Sequence, residues 1–162
     1  MEISYRLIEK KDNPYLAQII RNVLTEFNAN KPGTVFTDTT TDSLYELFQT
    51  TNSSYWVVEE NQKLLGGCSL FPTLGLPDGC IELVKLYLTE ESRGKGIGKT
   101  LLELAINFAE EKGYKQIYLE SLPQLNMAID LYEKMGFQHL DNPLGNSGHF
   151  ACNLWMIKNS NQ

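Results

Sequence analysis

Apolar positions recur along this chain with two periods, and the switching between them outlines an alternating order of strands and helices. Ile3 to Ile8 alternates well enough for a first strand. Asp12, Asn13 and Pro14 form a helix-start signal. Leu16, Ile19, Ile20, Val23, Leu24 and Phe27 then make a helical stripe that should end near Asn28 to Gly33. Thr37 to Asp42 is polar and turn-like, and Asp42 or Ser43 can cap a short helix through Leu44, Leu47 and Phe48. Tyr55 to Glu59 and Leu64 to Phe71 are strand-like and joined at Asn61 and Gln62, which predicts an antiparallel hairpin. Pro72 to Gly79 is dense in turn residues and leads to a central strand, Ile81 to Leu88, almost continuously apolar. A helical stripe at Ile97, Leu101, Leu104, Ala105 and Phe108 runs on to Lys112, with Gly113 placed as its cap. Ile117 to Leu122 is the next strand and Asn126 to Met135 the next helix, closed by Gly136. Phe137 to Leu140 and Phe150 to Ile157 are the last strands, separated by the loop Asp141 to Gly148. The order is that of an α/β protein with a mixed sheet and helices on its faces.

Between the central strand and its helix lies Arg93-Gly94-Lys95-Gly96-Ile97-Gly98, followed by Lys99 and Thr100. Glycines at every second position let successive backbone N–H groups point one way. The helix behind adds its free N–H groups and positive dipole end. Arg93, Lys95 and Lys99 surround this with cationic side chains, so a phosphate or pyrophosphate is the expected guest. Spacing separates three phosphate motifs. A Walker A loop would need glycine where Arg93 stands, and the dinucleotide fingerprint GxGxxG fails at Lys99 or Leu101. The pattern [QR]xxGx[GA] is met by Arg93, Gly96 and Gly98.

That loop resembles the acyl-CoA pyrophosphate loop of the GNAT superfamily of N-acetyltransferases. A second stretch strengthens the likeness: Asn126 to Phe137, NMAIDLYEKMGF, resembles the GNAT pattern NxxAxxLYxKxGF, although Ala128 follows Asn126 by two positions rather than three. The resemblance covers Cys80 to Phe137 well, and before Tyr55 only the element order matches. It implies a single domain over residues 1–162, a central, mostly antiparallel sheet with helices on both faces, and acetyl-CoA as cosubstrate. The pyrophosphate would lie on the backbone from Arg93 through Gly94, Lys95, Gly96 and Ile97 to Gly98, beside Lys99 and Thr100. The pantetheine arm would pair with the strand end Leu86, Tyr87 and Leu88, where that strand splays from Ile117 to Leu122, and a backbone N–H near Leu88 would face the thioester oxygen. The likeness also moves Asn126, by itself a good helix N-cap, toward the cofactor, and Tyr132, by itself a core residue, toward the leaving sulfur.

Acetyl transfer from a thioester to an amine needs a proton for the departing thiolate and a neutral nucleophile. Tyr132 suits the first task, since a phenol with a pKa of about 10 stays protonated at neutral pH. Glu82, the one acid inside the apolar strand, and Glu120, in the neighbouring strand, are alternative bases for the second. Burial would raise the pKa of Glu82 toward a useful value. Each also has a plain structural reading, as a partner of Lys85 or as a solvated edge. His149 could border the acceptor site, and a Cys152–His149 acyl relay is conceivable, although Phe150, Cys152 and Leu154 alternate like a buried strand face.

Composition narrows the remaining classes. With 162 residues, 42% hydrophobic and 21% charged, the chain is an ordinary globular sequence of one domain's size. A net charge of −6 without a basic run argues against a nucleic-acid binder and is compatible with a cationic amine substrate. The N-terminus shows no signal-peptide pattern, no apolar run is long enough for a bilayer, and three scattered cysteines suggest a reducing compartment, so a cytoplasmic location is expected. Edge strands near the C-terminus make a homodimer conceivable. Two other functions stay open: an acyl-CoA-binding or regulatory module of the same fold without turnover, and an NTPase suggested by Gly98-Lys99-Thr100.

Overall fold

The computed structural model describes residues 2–160. Its strands are β1 (Ile3–Leu7), β2 (Ser54–Glu60), β3 (Lys63–Phe71), β4 (Cys80–Leu88), β5 (Gln116–Ser121), β6 (Gln138–Leu140) and β7 (Leu154–Asn159). Its α-helices are α1 (Asn13–Glu26), the single turn α2 (Leu44–Leu47), α3 (Ile97–Glu111) and α4 (Asn126–Lys134). The strands form one sheet in the order β1-β2-β3-β4-β5-β7-β6. Among the described residues only the β4–β5 pair is parallel, because α3 crosses between them, and every other pair is antiparallel.

Alternation along the strands divides the apolar residues between two cores. Trp56, Val58, Ile81, Leu83, Ile117 and Leu119 pack with α3 and α4 on one face. Tyr55 and Val57 pack with Leu16, Ile20 and Leu24 of α1 and Leu44 of α2 on the other. The β2–β3 turn uses Asn61 and Gln62 at φ of 52° and 70°, the left-handed pair expected of a tight hairpin.

Two irregularities in the sheet shape the site. Pairing of β4 with β5 reaches only from Cys80↔Gln116 to Glu82↔Tyr118, so the two strands part company beyond Glu82. A bulge also interrupts β3–β4. Gly67 faces Tyr87 and Ser69 faces Val84, leaving Lys85 and Leu86 opposite Cys68 alone. Lys85 takes φ +61° there. The extra residue reverses the alternation, so that Leu83 and then Leu86 and Leu88 meet the α3 core, whereas Val84 and Tyr87 meet the α1 core.

The element order read from sequence is reproduced, with three local differences. The last strand begins at Leu154, not Phe150. Phe150 is 74% exposed, and Cys152 sits in the turn before the strand, so the expected buried face of Phe150 and Cys152 is not formed. That strand also lies between β5 and β6, and the C-terminal edge is the three-residue β6. Finally, the N-cap of α4 is Leu125, and Asn126 is the first residue inside the helix, with no side-chain cap bond formed.

Candidate functional site

A cavity of about 300 Å³ opens where β4 and β5 diverge. It runs from the glycine loop, along Leu86, Tyr87 and Leu88, past Tyr132, to a polar end lined by Glu82, Lys85, Glu120, His149 and Cys152. Divergence of two strands leaves one edge of β4 unpaired, and an extended amide-bearing chain is the kind of guest such an edge accepts.

At the loop end, Gly94 and Gly96 have φ of 78° and 73°, and a Cβ on either would meet no atom of a described residue within 4 Å. Their backbone lies open. Gly98 serves differently: a methyl there would stand 2.9 Å from Leu131 Cδ2, so its small size lets α3 approach α4. Two of the three expected cations are already engaged. The Arg93 guanidinium chelates Glu26 at 2.6 and 2.9 Å and lies over the Phe27 ring, and Lys95 Nζ lies 2.9 and 3.1 Å from the two Glu60 oxygens. Lys99, exposed, borders the cavity and forms no ion pair among the described residues. The loop therefore offers an anion its backbone N–H groups and one unpaired ammonium. Thr100 lies outside the cavity lining, with its hydroxyl donating to the Gly96 carbonyl at 3.1 Å.

Tyr132 is buried against Phe137, and its hydroxyl makes no hydrogen bond to a described residue. Burial holds the phenol well above its ordinary pKa, so it keeps its proton. Asn126 is exposed and does not line the cavity.

At the polar end Glu82 is only 2% exposed and accepts a hydrogen bond of 2.5 Å from Thr73 Oγ1. Burial raises its carboxyl to about 7, against the Thr73 hydrogen bond and with help from the nearby charge of Glu120. Both Glu120 oxygens are engaged, one by Tyr118 at 2.8 Å and the other by Ser147 at 2.5 Å. Tyr118 in turn accepts from the Leu144 N–H, so this carboxylate pins the loop before β7 onto the sheet. Burial pushes the Cys152 thiol up to about 12, helped by Glu120 and Glu82, which leaves little thiolate for an acyl relay.

Sequence reasoning named Lys85 only as a plain carboxylate partner and missed Asp38. Lys85 is 6% exposed, and burial lowers its pKa against the through-space pull of Asp38 and Glu82. Asp38 meets His149 Nε2 at 3.0 Å and accepts from the Thr40 N–H and hydroxyl. Burial opposes ionisation of Asp38, but these contacts outweigh it and bring its pKa to about 2. The polarity of Asp38 and Thr40 was visible, but nothing local marked them as neighbours of the C-terminal loop.

An open sheet split between two strands, with a glycine loop and a polar pocket at opposite ends of the gap, defines an acyltransferase type of fold. The chain belongs to the Acetyltransferase (GNAT) family, whose model matches residues 20–137. It is 39% identical over 155 residues, 94% of this chain and 92% of the other, to the uncharacterized N-acetyltransferase YjgM of Escherichia coli (strain K12). Among solved structures, a GNAT-family acetyltransferase of Staphylococcus aureus Mu50 superposes with a TM-score of 0.84 at 20% identity, covering 99% of this chain and all of that one. The structure of yncA from Salmonella typhimurium with its cofactor acetyl-CoA gives 0.74 at 21% identity, covering 100% and 96%. Family membership leaves the NTPase alternative without support.

Proposed function

We propose that this protein transfers an acetyl group from acetyl-CoA directly to a primary amine. The observation that carries the reading is the continuity of one cavity from the open glycine backbone at Gly94 and Gly96 to the buried Glu82 carboxyl, with Tyr132 between them. Acetyl-CoA supplies the activated acyl group as a thioester. The backbone from Arg93 to Gly98 and the Lys99 ammonium hold its pyrophosphate, and the unpaired edge of β4 at Leu86 to Leu88 holds its pantetheine arm. The fit is supported by the free space at Gly94 and Gly96 and by the loss of β5 pairing beyond Glu82.

Each chemical step then has a residue suited to it. Glu82, with its carboxyl near neutrality, takes a proton from the incoming ammonium and leaves the amine nucleophilic. Glu120, held by Tyr118 and Ser147, adds a fixed negative charge that draws the cation in. An N–H of the β4 edge near Leu88 stabilises the charge that develops on the acyl oxygen. Tyr132, proton retained, donates it to the departing thiolate. Asn126 and Thr100 do not line the cavity, and no step is assigned to them here.

Melting curves with acetyl-CoA, beside ATP and magnesium, test the cofactor assignment. At one hundred times its dissociation constant a ligand adds about 2.7 kcal/mol to the native state. An upward shift with acetyl-CoA alone is expected, and a shift with ATP alone overturns the reading.

A further inference from the structure

The polar end of the cavity carries both signs of charge, which is more than a simple amine requires. Glu82 and Glu120 supply carboxylates to one ammonium. Lys85, in the same lining, would repel it. This lysine is 6% exposed and makes no hydrogen bond or ion pair among the described residues, and Asp38 and Glu82 attract it only through space. The carboxylates at this end of the cavity are hydrogen-bonded to other groups. Asp38 is taken by His149 and Thr40, Glu120 by Tyr118 and Ser147, and one Glu82 oxygen by Thr73. The backbone also holds Lys85 in a conformation that costs free energy. It occupies φ +61° at the β4 bulge, a region a residue with a Cβ enters at about 1–2 kcal/mol. A buried lysine nitrogen with no hydrogen-bond partner among the described residues, on a strained backbone and facing a cavity, is suited to a guest that brings an anion into contact with it.

Resting on the acetyltransferase reading above, we propose that the acceptor is an amino acid, a primary amine bearing a carboxylate close to the reacting nitrogen. Lys85 binds that carboxylate while Glu82 and Glu120 receive the ammonium. His149, on the same lining and turned by Asp38, stands on the Lys85 side. The two charges of such a guest match the two signs of the pocket. A decarboxylated amine would leave the buried Lys85 nitrogen without an anion in contact with it.

Paired acceptors test this in the wild-type protein: phenylalanine against phenethylamine, leucine against isopentylamine, and lysine against cadaverine, each read as kcat/KM for acetyl-CoA-dependent acetylation. Leaving a buried charge unpaired corresponds to about thirtyfold or more, so the carboxylate member should lead by that margin in each pair that turns over. In Lys85→Met the ratio should fall toward one. Equal or better turnover of the decarboxylated amines, or an unchanged ratio in the variant, overturns the inference while leaving the transferase intact. If no compound is acetylated, calorimetry in the presence of CoA separates the two claims. Carboxylate-dependent binding to the wild type would retain the pocket assignment and remove the transferase, and absence of such binding would remove both. The wild-type comparison needs no variant, so a misfolded Lys85→Met does not affect it.

Discussion

Replacing Glu82 with glutamine should make the protein more stable and less active at the same time, in a pH window set by one carboxyl. In the folded protein that carboxyl titrates at about 7 instead of its ordinary 4.5 because it is buried. At about 1.4 kcal/mol for each tenfold in proton affinity, the rise amounts to roughly 3 kcal/mol. Its sign follows from proton counting. Between 4.5 and 7 the folded state holds a proton that the unfolded state has released, so stability falls as pH rises through this window. The full penalty is present above it and none below 4.5. Glutamine has the same shape, can still accept from Thr73 through its amide oxygen, and never ionises. Urea denaturation of both proteins from pH 4 to 9 should therefore show a difference that grows toward about 3 kcal/mol in favour of Glu82→Gln at alkaline pH. In parallel, wild-type kcat/KM should rise with pH through about 7, and the variant should lose that rise. A stability difference that stays flat across the window would refute the claim that Glu82 is buried and proton-retaining.

The remaining expectations concern the other parts of the cavity. Tyr132→Phe should lower kcat by about a hundredfold or more while calorimetry finds acetyl-CoA affinity little changed, because the hydroxyl makes no hydrogen bond to a described residue and its loss leaves the site's framework in place. Lys99→Met should weaken acetyl-CoA binding and reduce its salt dependence more than Lys95→Met, since Lys95 is already paired with Glu60. Gly66→Ala should cost about 2 kcal/mol or more in chemical denaturation, because at φ 136° its Cβ would run into the backbone carbonyl of Tyr87.

Features governed by local pattern were legible before the structure. The hairpin at Asn61 and Gln62, the helices over Leu16 to Phe27 and Ile97 to Phe108, and the glycine loop each depend on residues within one or two turns. What was hidden depends on distant partners or on a single inserted residue. The run IELVKLYL is apolar on both sides of Lys85, so its sequence shows no break where the bulge reverses the alternation. Arg93 and Lys95 looked available for an anion because Glu26 and Glu60 lie far back in the chain. Asp38 and His149 are separated by 111 residues, and only the fold makes them neighbours. Alternation at Phe150, Cys152 and Leu154 imitated a strand, whereas Phe150 instead covers Gly33 from the surface and the Ala151 N–H bonds the Gly33 carbonyl. Asn126 met the composition of a cap without its position, since the helix begins at Asn126 itself, where the pattern placed it, and its N-cap is Leu125.

The central claim is that one cavity holds the acyl donor and delivers its acetyl group to an amine. Incubating the protein with acetyl-CoA and an acceptor mixture, then following free CoA thiol and acceptor mass together, tests it most directly. The account predicts thiol release that requires both the protein and the amine, with one acetylated amine formed for each thiol. Tight binding of acetyl-CoA with no amine-dependent thiol release, across amines and amino acids alike, would contradict it and leave a binding module in its place.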